Sequence, residues 1–263
     1  VDPLRNAAQQ RRSLVVASAA AGVILIVVVL VTRGSAQPPQ SCRATLIPAY
    51  LPPGAIVDLV KGPLRPRLVV INPGNGPGTH ALSGYREAVR AAKDAGARVL
   101  GYVPTTYGRR PAAGVLADVE RYMSWYGVDG IFFDEASHSM AQLPYYDALT
   151  RRVRSSRGRF VVLNPGVVPA RGYFDIADVV VTFEGLHSAY AAALAHMPDW
   201  VREQPPDRVA HLVYGASRDQ AMAAVQDVRE AGYLYVTSGV LPDPWRTLPS
   251  YLREEEGALE TCP

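Results

Sequence analysis

Apolar runs of strand length recur eight times between residues 44 and 239: ATLIPAY (44–50), RLVVINP (67–73), RVLGYVP (98–104), GIFFDE (130–135), FVVLNP (160–165), DVVVTFE (178–184), VAHLVYG (209–215) and YLYVTSG (233–239). Stretches whose apolar residues repeat at three and four positions lie between them, among them 83–97, 112–127, 143–156 and 217–232. Gly96, Gly127 and Gly232 close three of these as helix stops. The first and fifth helices are expected to be short. Strands that alternate with helices pair in parallel, and eight such units predict a closed (β/α)8 TIM-type barrel. A doubly wound open sheet is the other arrangement of the same units.

The ends of the domain favour closure. The sequence has two cysteines, Cys42 and Cys262, one before the first strand and one next to last. In an oxidising compartment they are expected to form a disulfide. A closed barrel sets its first strand beside its last, which such a bridge requires. An open sheet gives no such reason.

Residues 14–32, LVVASAAAGVILIVVVLVT, carry no charge. As a helix they would span about 30 Å, the thickness of a hydrocarbon core. Arg5, Arg11 and Arg12 precede them, which predicts a cytoplasmic N-terminus (1–13), a transmembrane anchor (14–32), a linker (33–41) and an exported barrel (42–263). The alternative is a signal peptide cleaved near Gly34–Ala36, which leaves the domain secreted. Either way the barrel lies outside the cytoplasm. Net charge is only +3 and the arginines are scattered, so the composition argues against a nucleic-acid partner. The sequence calls for no cofactor and no obligate protein partner.

Barrel enzymes work at the C-terminal ends of their strands. Here those ends read Tyr50, Asn72, Tyr102, Asp134 with Glu135, Asn164, Glu184, Tyr214 and Ser238, polar tips on apolar bodies. Strand parity puts Phe132 with Asp134, and Thr182 with Glu184, toward the lumen. Asp134 and Glu184 then face one another across the mouth, with Glu135 in the loop. Two carboxylates across a sugar-sized gap suit glycosidic cleavage: one protonates the departing oxygen and the other attacks C1 or activates water. Tyr50, Tyr102, Tyr107 and Tyr214, with Asn72, Asn164 and His187, could line a sugar site. Trp245, beyond the last strand, could either pack or reach the rim. The run NPGNGPG (72–78) resembles a phosphate loop, but Pro77 removes a donor and no Walker lysine follows. The five histidines have no metal-ligand spacing, and no G-x-S-x-G elbow is present.

INPGNGPG, GYVPTTYGRRP, DVERYMSWYGVDGIFFDEAS, VLNPG and DVVVTFEG, in this order, resemble the spherulin-4 (spherulation-specific family 4) proteins, from about Leu46 to Gly239. The resemblance implies a (β/α)8 glycoside hydrolase of family 135, endo-acting on an exopolysaccharide containing α-1,4-linked N-acetylgalactosamine. It implies active-site roles for the acidic pair after the fourth strand and the glutamate after the sixth, here Asp134, Glu135 and Glu184. The expected roles are nucleophile or electrostatic partner for Asp134 and general acid/base for Glu184, with Glu135 tuning them or holding the sugar. A non-catalytic glycan-binding or envelope protein on the same barrel is the alternative. A metal-dependent carbohydrate deacetylase lacks an evident ligand triad.

Overall fold

A computed structural model describes residues 43–155 and 159–259. Cys42 and Cys262, and the apolar segment 14–32, lie outside the described residues. Within them no helix is long and apolar enough to cross a membrane.

Eight strands close into a parallel barrel in sequence order: β1 (Ala44–Ala49), β2 (Leu68–Ile71), β3 (Arg98–Pro104), β4 (Gly130–Asp134), β5 (Phe160–Leu163), β6 (Val179–Leu186), β7 (Val209–Tyr214) and β8 (Tyr233–Val236). The open-sheet alternative is thereby set aside. Around the barrel run α1 (Pro53–Lys61), α2 (Tyr85–Asp94), α3 (Ala112–Arg121), α4 (Leu143–Arg154), α5 (Tyr173–Ile176), α6 (His187–Ala195), α7 (Asp199–Arg202), α8 (Arg218–Asp227) and α9 (Leu252–Leu259).

The helices form where the pattern allows an apolar stripe. In α2 the buried positions are Tyr85, Ala88, Val89 and Ala92, one face of a 3.6-residue repeat. Ser217 opens α8 with a reciprocal capping box: its hydroxyl accepts from the Gln220 N–H, and the Gln220 side chain accepts from the Ser217 N–H. Of the connecting helices, α5 is short at four residues, whereas α1 reaches nine.

Gly96 and Gly127 adopt left-handed φ values of 93° and 72°, as helix stops do. Gly232 serves differently. Helix α8 ends five residues earlier, and an added Cβ at Gly232 would lie 2.6 Å from the Pro206 carbonyl, so close backbone approach requires glycine there.

Strand β6 departs from simple alternation. Its register with β7 shifts between Val181 and Phe183. Thr182, expected to face the lumen, is instead engaged with His211 Nε2 at 3.0 Å, and His211 Nδ1 bonds the Tyr190 hydroxyl of α6 at 2.8 Å. His211 is fully buried, and burial pushes its pKa down to about 3, which keeps the ring neutral.

Candidate active site

The strand tips converge as their chemistry suggests. A cavity of about 480 Å3 opens at the C-terminal end of the barrel. Tyr50, Asn72, Tyr102, Tyr107, Asp134, Glu135, Asn164, Glu184 and Tyr214 all line it. Ser238 does not, and neither does His187. Strand β6 runs on to Leu186, so His187 falls beyond the strand as the first residue of α6, outside the wall of the cavity. Its expected place among the sugar-lining residues is corrected accordingly.

Asn164 holds the centre. Its side-chain Oδ1 accepts from the Gly166 N–H at 3.1 Å, a local turn that the sequence Asn-Pro-Gly permits. That bond leaves the amide group pointing inward. Its Nδ2 donates to Asp134 Oδ1 at 2.6 Å and to Glu184 Oε2 at 2.5 Å. The Gly166 carbonyl accepts from the Glu184 N–H at 2.9 Å, so one short loop positions both the bridge and one of its acids. Two oxygens bound to one nitrogen are no more than about 5 Å apart at these bond lengths.

The two acids have different partners. Asp134 is raised from the usual carboxylate range by burial and, less, by the neighbouring Glu135 charge. Against this, the Tyr102 hydroxyl, the Glu135 N–H and the Asn164 amide all donate to it and favour the ionised form. Glu184 is pushed up to about 7, first by burial and then by the Asp134 charge. The Asn164 amide and the Trp245 indole N–H oppose that rise. Burial thus raises both acids, but three donors oppose the rise at Asp134, while Glu184, with two, is lifted to about 7.

Glu135 takes a left-handed φ of 48°, unusual for a residue with a side chain. The loop after β3 clamps it there. The Tyr107 N–H donates to the Glu135 carbonyl at 2.7 Å, and the Thr105 hydroxyl reaches the carbonyls of both Asp134 and Glu135 at 2.9 Å. Thr105 is in turn 2.9 Å from the Tyr146 hydroxyl, which accepts from the Ser137 N–H at 2.8 Å. Thr106 and Tyr107 are also left-handed, at φ 51° and 56°. Strain of this kind collects at working sites.

Tyr50 and Tyr102 meet edge to face at 5.3 Å, and Tyr214 meets Trp245 in the same way at 6.1 Å. Trp245 therefore both packs and reaches the site. Asn75, Val167, Leu241 and Asp243 also line the cavity and were not singled out from sequence. They sit in loops after strands, where no alternation marks direction; the Pro-rich run around Trp245 after β8 was the available signal. Among the described residues, no group of three or more His, Cys, Asp or Glu could hold a metal ion.

A closed parallel barrel with acids paired at its C-terminal mouth is the framework used by glycoside hydrolases. The spherulation-specific family 4 profile matches residues 55–258, and the chain belongs to that family. Spherulin-4 of Physarum polycephalum is 32% identical over 236 residues, covering 81% of this chain and 69% of that protein. The crystal structure of Aspergillus clavatus Sph3 in complex with GalNAc is similar with a TM-score of 0.72 and 26% identity, over 84% of this chain and 99% of that one. An alpha-amylase from H. orenii shares the fold alone, with a TM-score of 0.54 and 12% identity over 78% of this chain and 72% of that one.

Proposed function

We propose that the protein is an extracytoplasmic glycoside hydrolase, anchored through residues 14–32, that cuts an α-linked N-acetylgalactosamine-containing polysaccharide within its chain. A Cys42–Cys262 disulfide joining the ends of the barrel is part of the proposal. The observation that carries the activity is the Asn164 amide bonded to both Asp134 and Glu184.

Carboxylates whose oxygens share one amide nitrogen, no more than about 5 Å apart, suit double displacement with retention better than inversion through an interposed water. Glu184, about half protonated near pH 7 and more fully below it, gives its proton to the glycosidic oxygen as the C1–O bond breaks. Asp134, whose carboxylate form is favoured by donors from Tyr102, the Glu135 N–H and Asn164, attacks C1 from the opposite face. Glu184 then takes a proton from water, the water oxygen bonds C1, and Asp134 leaves as carboxylate. Glu135, strained and adjacent, adds negative charge beside Asp134 and offers a polar contact to the sugar.

Substrate class is supported on two grounds. The Sph3 structure, 26% identical, is a complex with GalNAc. The cavity wall also contains Asp134, Glu135, Glu184 and Asp243 but neither Lys nor Arg. Such a lining repels uronic or sulfated sugars and accepts neutral or amino sugars.

The test is release of reducing ends from a polymer of α-1,4-linked N-acetylgalactosamine. The wild-type protein is expected to release a ladder of oligomers. Asp134→Asn and Glu184→Gln should each lower the rate by at least about a thousandfold with folding intact. Full activity in either variant would reject the assignment, and binding without any product from the wild type would favour a non-catalytic glycan-binding protein.

A further inference from the structure

A second cavity, of about 590 Å3, adjoins the first, and the two share Tyr50, Asn72, Asn75 and Asp243 in their walls. Four common residues make the two chambers one cleft. The loop NPGNGPG, left without a role by the sequence, lines both chambers through Asn72 and Asn75. Asn72 Oδ1 accepts from the Gly76 N–H at 2.8 Å, and the Gly74 N–H donates to the Gly76 carbonyl at 3.0 Å. The turn is compact, and it presents Asn75, left-handed at φ 51°, where the chambers meet.

The loop between β8 and α9 also lines both chambers. Asp243 borders both chambers; Arg246 borders only the second. Arg246 Nε donates to Asp243 Oδ2 at 2.6 Å, and the Trp245 N–H donates to Asp243 Oδ1 at 3.3 Å. Asp243 is thus fixed from two sides, while Arg246, with its side chain 77% exposed, keeps donors free for a ligand. The second chamber supplies the cation that the first lacks. Hydroxyl and acetamido carbonyl oxygens of a neutral sugar accept hydrogen bonds, and a guanidinium offers several in a fixed fork.

We infer that the second chamber is a sugar subsite that holds the residues next to the scissile linkage, with Arg246 and Asp243 as its polar contacts and Asn75 at the junction. The inference rests on the hydrolase reading above. A chain bound across both chambers has its reactive linkage in its interior, which is what endo action requires.

The test uses the protein with Glu184→Gln, so that ligands persist, and α-1,4-linked N-acetylgalactosamine oligomers from disaccharide to octasaccharide, titrated by calorimetry. Affinity is expected to rise with length as the second chamber fills. Arg246→Ala, added to the same protein, should remove about tenfold of that gain. Asn75→Gly, which tolerates the left-handed backbone, should remove a smaller share. A length dependence unchanged by both substitutions overturns the inference and leaves the hydrolase reading standing. Failure of every oligomer to bind overturns both.

Discussion

Asn164 is the residue on which the chemistry turns, because one amide serves two acids with opposite duties. Its bond lowers the pKa of both Asp134 and Glu184 against the rise caused by burial. Asn164→Ala removes both bonds, so both limbs of the pH–rate profile are expected to move to higher pH. The same variant should lose about a hundredfold or more in kcat with a smaller change in KM, since the acids lose their alignment. A residue that only contacted sugar would raise KM and leave the limbs in place. Stability follows the same groups. Glu184 has a folded pKa of about 7 against an ordinary value of 4.5, so the native state holds a proton that the unfolded chain has released between those values. Native stability therefore falls as pH rises through that window. Glu184→Gln abolishes this loss, and its Tm advantage over the wild type should grow from pH 4.5 to above pH 7 by a few degrees, as measured by thermal scans.

Among the elements, the join between β1 and β8 relies on a helix as well as on strand pairing. The strands pair at Ala44 with Tyr233 and at Thr45 with Leu234, as few positions as β5 with β6. Farther along, the Val236 N–H donates to Glu255 of α9 at 2.7 Å in place of a strand partner, and the Arg65 N–H donates to Glu256 at 2.8 Å. Glu255 is fully buried, and burial raises it well above the usual carboxylate range. Glu255→Gln retains an acceptor for Val236 and should be tolerated. Glu255→Ala orphans that N–H and should cost about 1–3 kcal/mol in denaturant unfolding. Equal stability of the two variants would contradict this role. No sequence signal marks this role: Arg253 to Glu256 is an unbroken run of charged residues. Glu254, in the same run, does stay at the surface, paired with Arg218. Burial inside a charge run depends on which turn faces the barrel, and that is decided by packing.

For the molecule as a whole, legibility followed the physics of each segment. Strands are short, apolar and period-two, so their tips could be read directly, and Tyr50, Asn72, Tyr102, Asp134, Asn164, Glu184 and Tyr214 meet in one cavity. Asp243 and Asn75 could not be read, because loop paths depend on bonds such as that from the Gly76 N–H to Asn72. Thr182 was misplaced because a register shift breaks the alternation on which parity depends, and His187 because β6 runs on past Glu184 to Leu186. At this scale the charge of the cavity also becomes testable. With four acidic side chains and no Lys or Arg in the wall of the catalytic chamber, the protein should leave polyuronic and sulfated glycans uncut while it degrades N-acetylgalactosamine polymer. Comparable release from both by reducing-end assay would remove charge as the selecting feature. The most direct measurement of the paired acids at work is proton NMR of the anomer first released from an α-linked substrate. Acids held within about 5 Å by one amide require the α-anomer first, with the β-form growing in only by mutarotation. A β-anomer at the outset, or no new reducing ends at all, would contradict a double displacement by Asp134 and Glu184.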